Sequence, residues 1–249
     1  MRTIDLNADV GELPDLAPVE EDLLDVVTSV NVACGGHAGD EASMERVVRA
    51  ALARGVAVGA HPAYPDREGF GRRAMSLPGE LLAGSIAEQV AALLEVAARC
   101  GGRLSHVKPH GALYNAAARD VELARTIAEG VARVAPGVVL VGLAGSAMLD
   151  AFVRAGFPVA AEAFADRGYE PDGTLTPRGR PGALKATVGG AAEQALSIAL
   201  RGEVVASDGS RVALDARTLC LHSDTPGAPA FARAIAERLR AEGVELRPL

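Results

Sequence analysis

Tryptophan is absent from this 249-residue chain and aromatic residues make up only 3% of it, so its core must be built from Ala, Val and Leu. Lysine is almost absent too: Lys108 and Lys185 stand alone and arginine carries the remaining positive charge, which makes the place of each lysine informative. A formal net charge of −7 without a basic stripe excludes the usual nucleic-acid partner. The three cysteines, Cys34, Cys100 and Cys220, form no CxxC pair. That excludes a disulfide framework and a thiolate zinc site, and each cysteine is read as a small buried hydrophobe. There is no basic n-region followed by an apolar run and no stretch of ~20 apolar residues to span a bilayer, so a soluble, cytoplasmic protein is expected. No GxxxxGK[ST] phosphate loop and no HExxH metal motif occurs. No linker composition interrupts residues 1–249, which predicts a single domain.

Strand and helix signals alternate from end to end. Strands are predicted at 3–9, 29–34, 56–60, 104–108, 138–142, 158–163 and 217–221, with helices near 18–28, 41–54, 79–100, 120–134, 146–155, 188–201 and 227–242. A hairpin is expected from 203–206 and 211–215 around Asp208-Gly209. Repeated βα units imply a parallel sheet with helical crossovers. Side chains alternate across a strand, so Asp5, Asn7 and Asp9 share one face of the first strand, and His106 and Lys108 share one face of the fourth. Asn31, His61, Glu162 and His222 fall on the corresponding face of other strands. An open sheet covered by helices would read as continuous apolar runs. One apolar and one polar face instead predicts a closed, TIM-like (β/α)7 barrel, distorted from eightfold symmetry. Its site is expected at the C-terminal strand ends, where His37, His61, His110 and His222 fall.

Six segments carry the chemistry: DLNADVGE (5–12), VNVACGGHAGD (30–40), GAHPAYPDREGFGRR (59–73), HVKPHGALYN (106–115), FADRGYEPDG (164–173) and HSDTPGA (222–228). Together and in this order they resemble the LamB/YcsF family, associated with the A subunit of bacterial 5-oxoprolinase, over essentially the whole chain. Ala8, Gly36 and Ser223 depart from that pattern, where Cys, Phe and Gly are expected. The resemblance implies a seven-stranded barrel related to glycoside hydrolases and polysaccharide deacetylases. It also implies ATP-coupled opening of the lactam of 5-oxoproline to glutamate, together with subunits B and C. ATP, with Mg, binds either through a mode without a recognisable loop or on the partner subunits.

A lactam is an unreactive amide. Phosphorylating its carbonyl oxygen makes an electrophile that water can attack, given a base, donors for developing charge, an acid for the departing nitrogen and a clamp for the carboxylate. Asp9 and His61 suit the base, Lys108 the charge stabiliser and His110, on the same KPHG turn, a further catalytic group. Asn7, His37, Asp166, Arg167, His222 and Asp224 are candidate substrate contacts, with Arg167 as a bidentate carboxylate clamp. Thr225 is expected to cap the last helix, with Pro226 as its first residue. Each reading has a structural alternative. Asp9, Asn7 and Lys108 form an internal network, His106 is a satisfied lining residue, Asp166–Arg167 is a loop ion pair, Asp40 is a helix cap, and Tyr64, Phe70 and Tyr114 are loop anchors. Asp9, His37 and His61 would also suit zinc. The functional alternatives are therefore a metal-dependent amidase or deacetylase acting without ATP, and a non-catalytic substrate-binding subunit. Replacing Lys108 by Ala is expected to abolish turnover with the fold intact.

Overall fold

The structure is a computed structural model that describes residues 2–13 and 17–249. Seven parallel strands close into a barrel: β1 (Thr3–Val10), β2 (Ser29–Ala33), β3 (Ala57–His61), β4 (Leu104–Val107), β5 (Val139–Leu143), β6 (Val159–Phe164) and β9 (Thr218–His222). β9 pairs with both β6 and β1, which joins the ends of the sheet. The intervening pair β7 (Glu203–Val205) and β8 (Arg211–Ala213) is the antiparallel hairpin expected from the sequence. A short strand, β10 (Glu245–Leu246), which the sequence pattern does not signal, pairs with the start of β1.

Helices α1 (Ala17–Leu24), α2 (Glu41–Ala53), α3 (Gly79–Arg99), α4 (Gly111–Ala117), α5 (Val121–Ala132), α6 (Ala147–Arg154), α7 (Val188–Arg201) and α8 (Ala228–Ala241) surround the strands. The predicted boundaries hold to within a few residues, except that α4 is not foreseen and α1 ends four residues early. Local chemistry sets the helix ends. Asp40 and Ser43 form a reciprocal capping box on α2, Asp120 caps α5, Thr187 caps α7, and Gly202 in the left-handed conformation stops α7. The final helix does not start at Thr225-Pro226. Gly227 is its cap and Pro229 sits in its first turn, while the Thr225 hydroxyl donates to Asp166.

The alternation read from the sequence sorts the two barrel faces. Ile4, Leu6, Ala8 and Val10 of β1, with Val30 and Val32 of β2, are buried among the helices. Asp5, Asn7 and Asp9 are equally buried but turn into the lumen, at the same levels as Thr218, Cys220 and His222 of β9. The lumen is filled rather than open. A Cβ on Gly59 would lie 2.1 Å from the His106 ring, so the small residue beneath His61 makes room for an imidazole from the next strand. Helix α3 is long and apolar enough to cross a membrane by length and composition, contrary to the sequence expectation that no such stretch exists. Its Leu82, Ile86, Val90 and Leu93 are buried in the helical layer beside α2 and α5.

Candidate active site

The polar lumen begins with a layer that satisfies itself. Asp5 accepts from the Thr28, Ser29 and Thr218 hydroxyls at 2.6, 2.7 and 2.6 Å. The Asn7 amide donates to Glu162 at 3.1 Å and to Thr218 at 2.6 Å, and its oxygen accepts from Asn31 at 2.7 Å. His106 donates from Nε2 to Asn31 at 2.8 Å and accepts from the Ser105 hydroxyl at 2.7 Å. Burial, reinforced by Lys108, depresses His106 to about 3, so its ring is neutral.

Lys108 lies above this layer. The turn that carries it is pinned to β3, since Lys108 N–H donates to Ala60 O and His110 N–H to Pro62 O. The ammonium reaches Asp9 Oδ1 at 2.9 Å, Glu162 Oε1 at 3.0 Å and Cys220 Sγ at 3.0 Å, and it lies 5.5 Å from the centre of the Phe164 ring. Burial opposes this charge, but Asp9, Cys220 and Glu162 together hold the ammonium well above the usual lysine range. Burial likewise pushes Asp9 up, and the neighbouring His61 and Lys108 outweigh it, so its carboxyl stays well below the ordinary range. Removing Lys108 would leave two buried carboxylates unpaired. An intact fold after Lys108→Ala is therefore not expected, and charge and stability are bound together here.

At the barrel mouth His61 donates from Nδ1 to Lys108 O at 2.8 Å, and its Nε2 lies 3.3 Å from Asp9 Oδ2 and 3.0 Å from His110 Nδ1. His110 donates from Nε2 to Phe70 O at 3.0 Å. Phe70 is the one non-glycine residue with positive φ, 55°, among the described residues, so a strained turn aims that carbonyl. Glu12 places Oε1 3.4 Å from His110 Nδ1 and accepts from His37 Nε2 at 3.1 Å. Burial and the Asp9 charge push Glu12 up to about 7. His37 stacks on His110 with ring centres 3.7 Å apart, and burial with the neighbouring His61 lowers it to about 2. Asp9, Glu12, His61 and His110 are thus the buried donors that converge, within 4.8 Å of one another. The metal set read from the sequence is corrected: His37 stands behind Glu12, and Glu12 and His110 take its place.

A cavity of about 980 Å³ opens above this floor. Asp9, His61, Lys108 and His110 all line it, as do Arg167 and His222, whereas the other candidate substrate contacts do not. Asn7 lies deeper with its amide fully engaged, His37 faces a smaller neighbouring pocket, and Asp166 sits beneath His222. Asp166 accepts from His222 N–H, His222 Nδ1 and Thr225 rather than pairing with Arg167. The Arg167 guanidinium is bound to Ala183 O and Thr176 O, so much of the expected clamp is spent on ordering its own loop. Asp224 pairs with Arg72 at 2.6 Å and Arg178 at 3.5 Å, two cavity-lining arginines. Tyr114 and Phe164 meet edge to face at 6.0 Å beside the cavity.

Sequence reasoning missed Glu12 as a functional candidate and also the basic lining from Arg72, Arg119, Arg178 and Arg180. Glu12 did lie within the DLNADVGE segment, and that was its only signal. The loop arginines carry no periodicity that could have placed them.

Comparison with known proteins agrees with this architecture. The chain is 51% identical over 250 residues to the A subunit of 5-oxoprolinase from Methylococcus capsulatus, covering all of this chain and 96% of that one. The crystal structure of a lactam utilization protein from Thermus thermophilus superposes with a TM-score of 0.92 at 44% identity, over 99% of this chain and 100% of the other. A β-1,4-mannanase, at 13% identity and a TM-score of 0.53, shares the fold alone, over 97% of this chain and 100% of its own. The LamB/YcsF pattern matches residues 4–249, and at this identity and coverage the chain belongs to the LamB/YcsF family.

Proposed function

We propose that this chain is the lactam-opening subunit of an ATP-dependent 5-oxoprolinase, converting 5-oxoproline to L-glutamate as ATP becomes ADP and phosphate. The observation that carries the reading is a buried lysine, Lys108, flanked by Asp9 and His61 on the floor of a cavity lined by Arg72, Arg119, Arg178 and Arg180. Asp224 and Asp172 pair with three of these arginines, and the positive charge left over on the cavity wall suits a small anion. A phosphorylated lactam bearing a carboxylate is such an anion. Asp9, His61 and His110 form the floor on which the attacking water is activated. Lys108 opposes the charge that grows as water adds, and His222 and the arginines hold the anionic groups.

The relatives' designation as an A subunit supports work in a complex, and we assign nucleotide handling to subunits B and C because no phosphate loop occurs in this sequence. The convergence of His61 and His110 with two carboxylates favours a second reading, a metal-dependent amidase acting without ATP. One assay separates the two: glutamate release from 5-oxoproline, with and without ATP, by this chain alone and with its two partners. Turnover only with ATP and partners is expected. ATP-independent amide hydrolysis by the isolated chain would install the second reading, and no turnover in the full mixture would remove the first.

A further inference from the structure

Both imidazoles at the barrel mouth have committed their protons to backbone carbonyls. His61 Nδ1 lies 2.8 Å from Lys108 O, and His110 Nε2 lies 3.0 Å from Phe70 O. A carbonyl only accepts, so those nitrogens carry hydrogens. The remaining nitrogens, His61 Nε2 and His110 Nδ1, face each other across 3.0 Å, where no more than one of them can hold a proton. Asp9 Oδ2 adds a third acceptor 3.3 Å from the first nitrogen, and Glu12 Oε1 adds a fourth 3.4 Å from the second. Four acceptors facing inward repel one another unless a cation lies between them. A single proton can bridge only one pair of them.

The dimensions select a metal ion. Ligands about 2.0–2.1 Å from a tetrahedral zinc stand about 3.3–3.4 Å from one another, which is close to the spacing here. Two nitrogens and two oxygens suit zinc-class ions rather than magnesium or calcium, which take oxygen. Each ligand has a partner outside the site, as metal ligands do. Lys108 O and Phe70 O fix the two rings, Asn31 with Lys108 occupies the other oxygen of Asp9, and His37 donates to Glu12 Oε1, which keeps a second lone pair for the ion.

We infer that Asp9, Glu12, His61 and His110 bind one zinc-class divalent ion at the floor of the cavity. Binding stands on this geometry alone, while its use in catalysis rests on the lactam-opening reading. There the ion would have to take a water as a fifth ligand, or in place of one carboxylate, to act as a Lewis acid beside Lys108 and bring that water toward a neutral pKa.

The test uses the full chain, stripped by dialysis against a chelator and titrated with Zn²⁺ or Co²⁺ alone. One ion per chain is expected, and the cobalt form should show the visible absorption of a tetrahedral centre. His61→Gln and His110→Gln should each weaken zinc binding by more than the roughly 10–100-fold that losing an outer hydrogen-bond partner costs, and His37→Gln should fall within that range. Thermal melts identify any variant that fails to fold, and Glu12→Gln, which keeps the side-chain shape, then serves in its place. No stoichiometric binding by the native chain, or native affinity in the folded ligand variants, overturns the site. Full turnover of 5-oxoproline by metal-free chain with ATP and partners overturns the ion's catalytic use and leaves the lactam reading standing. Tight zinc binding without turnover in that mixture keeps the site and removes the lactam reading.

Discussion

In the lower lumen Asp5, Asn7, Asn31 and His106 leave no buried side-chain atom without a partner, whereas nearer the mouth His37 Nδ1 and Asp166 Oδ1 lack one. Both regions are polar, and both are enclosed by the same strands. What separates them is the supply of donors. Below, hydroxyls from Thr28, Ser29 and Thr218 close every valence around Asp5. Above, acceptors face acceptors. A satisfied buried network holds a fold together, while an unsatisfied one stores a cost of roughly 1–3 kcal/mol for each group that only a ligand can relieve. Polarity alone does not mark a site, but a shortage of hydrogen-bond partners does.

The sharpest way to break this division is Lys108→Met, which reaches both regions. Turnover with partner subunits should fall about 100-fold or more, the size of a lost charge-stabilising donor. Stability should fall by roughly 3–5 kcal/mol, because Asp9 and Glu162 stay buried without their cation. Adding Glu162→Gln should recover much of that stability and none of the turnover. If turnover returns with stability, Lys108 acts only by supporting the fold.

Two changes address the lower layer, where effects should appear in stability and not in kcat. Thr218→Val keeps the shape but removes a partner of both Asp5 and Asn7. Denaturant melts should show a loss of roughly 1–3 kcal/mol with kcat of the folded enzyme unchanged. A kcat drop in fully folded Thr218→Val would mean that the two layers act as one. Gly59→Ala forces a methyl against the His106 ring and should cost about 1–3 kcal/mol, measured in the same way.

The smallest effect is expected from Tyr114→Phe, whose buried hydroxyl faces the Glu162 carboxylate without a hydrogen bond of full geometry. Its melting temperature should hold or rise slightly. A loss of about 1 kcal/mol or more would show that the hydroxyl is bonded, and the contrast between the layers would weaken at that point.

The same contrast explains what the sequence made legible. Period-two alternation applies to any residue inside a strand, so Asp5, Asn7, Asp9 and His106 could be placed in the lumen from their parity alone. Lys108 stood out by its rarity. Glu12 lies past the end of β1, after Gly11 turns the chain with φ of 73°, and alternation stops being informative there. Its position is set by Glu20, which accepts from the Gly11 and Glu12 N–H groups and pairs with Arg46 at 3.0 Å, contacts no local pattern encodes. The Thr225-Pro226 start signal misled because Asp166, far away in sequence, claims the threonine hydroxyl. The His61 and His110 tautomers depend on carbonyls delivered by other segments and were likewise unreadable.

Closure of the barrel on its first strand also governs how the molecule must fold. β1 supplies Asp9 within the first ten residues, yet Lys108 reaches it from 99 positions away, and the Asp5–Thr218 bond spans 213. Contacts at such separations cannot form until the loops between them have been closed, so folding is slow for the chain's size. During synthesis β1 must wait, its lumen face of carboxylates open to water, until β9 has left the ribosome. Of the seven barrel strands, the one that leads in chain order is the last to be sealed, and a truncation before β9 leaves the barrel open along the edge that carries Asp9.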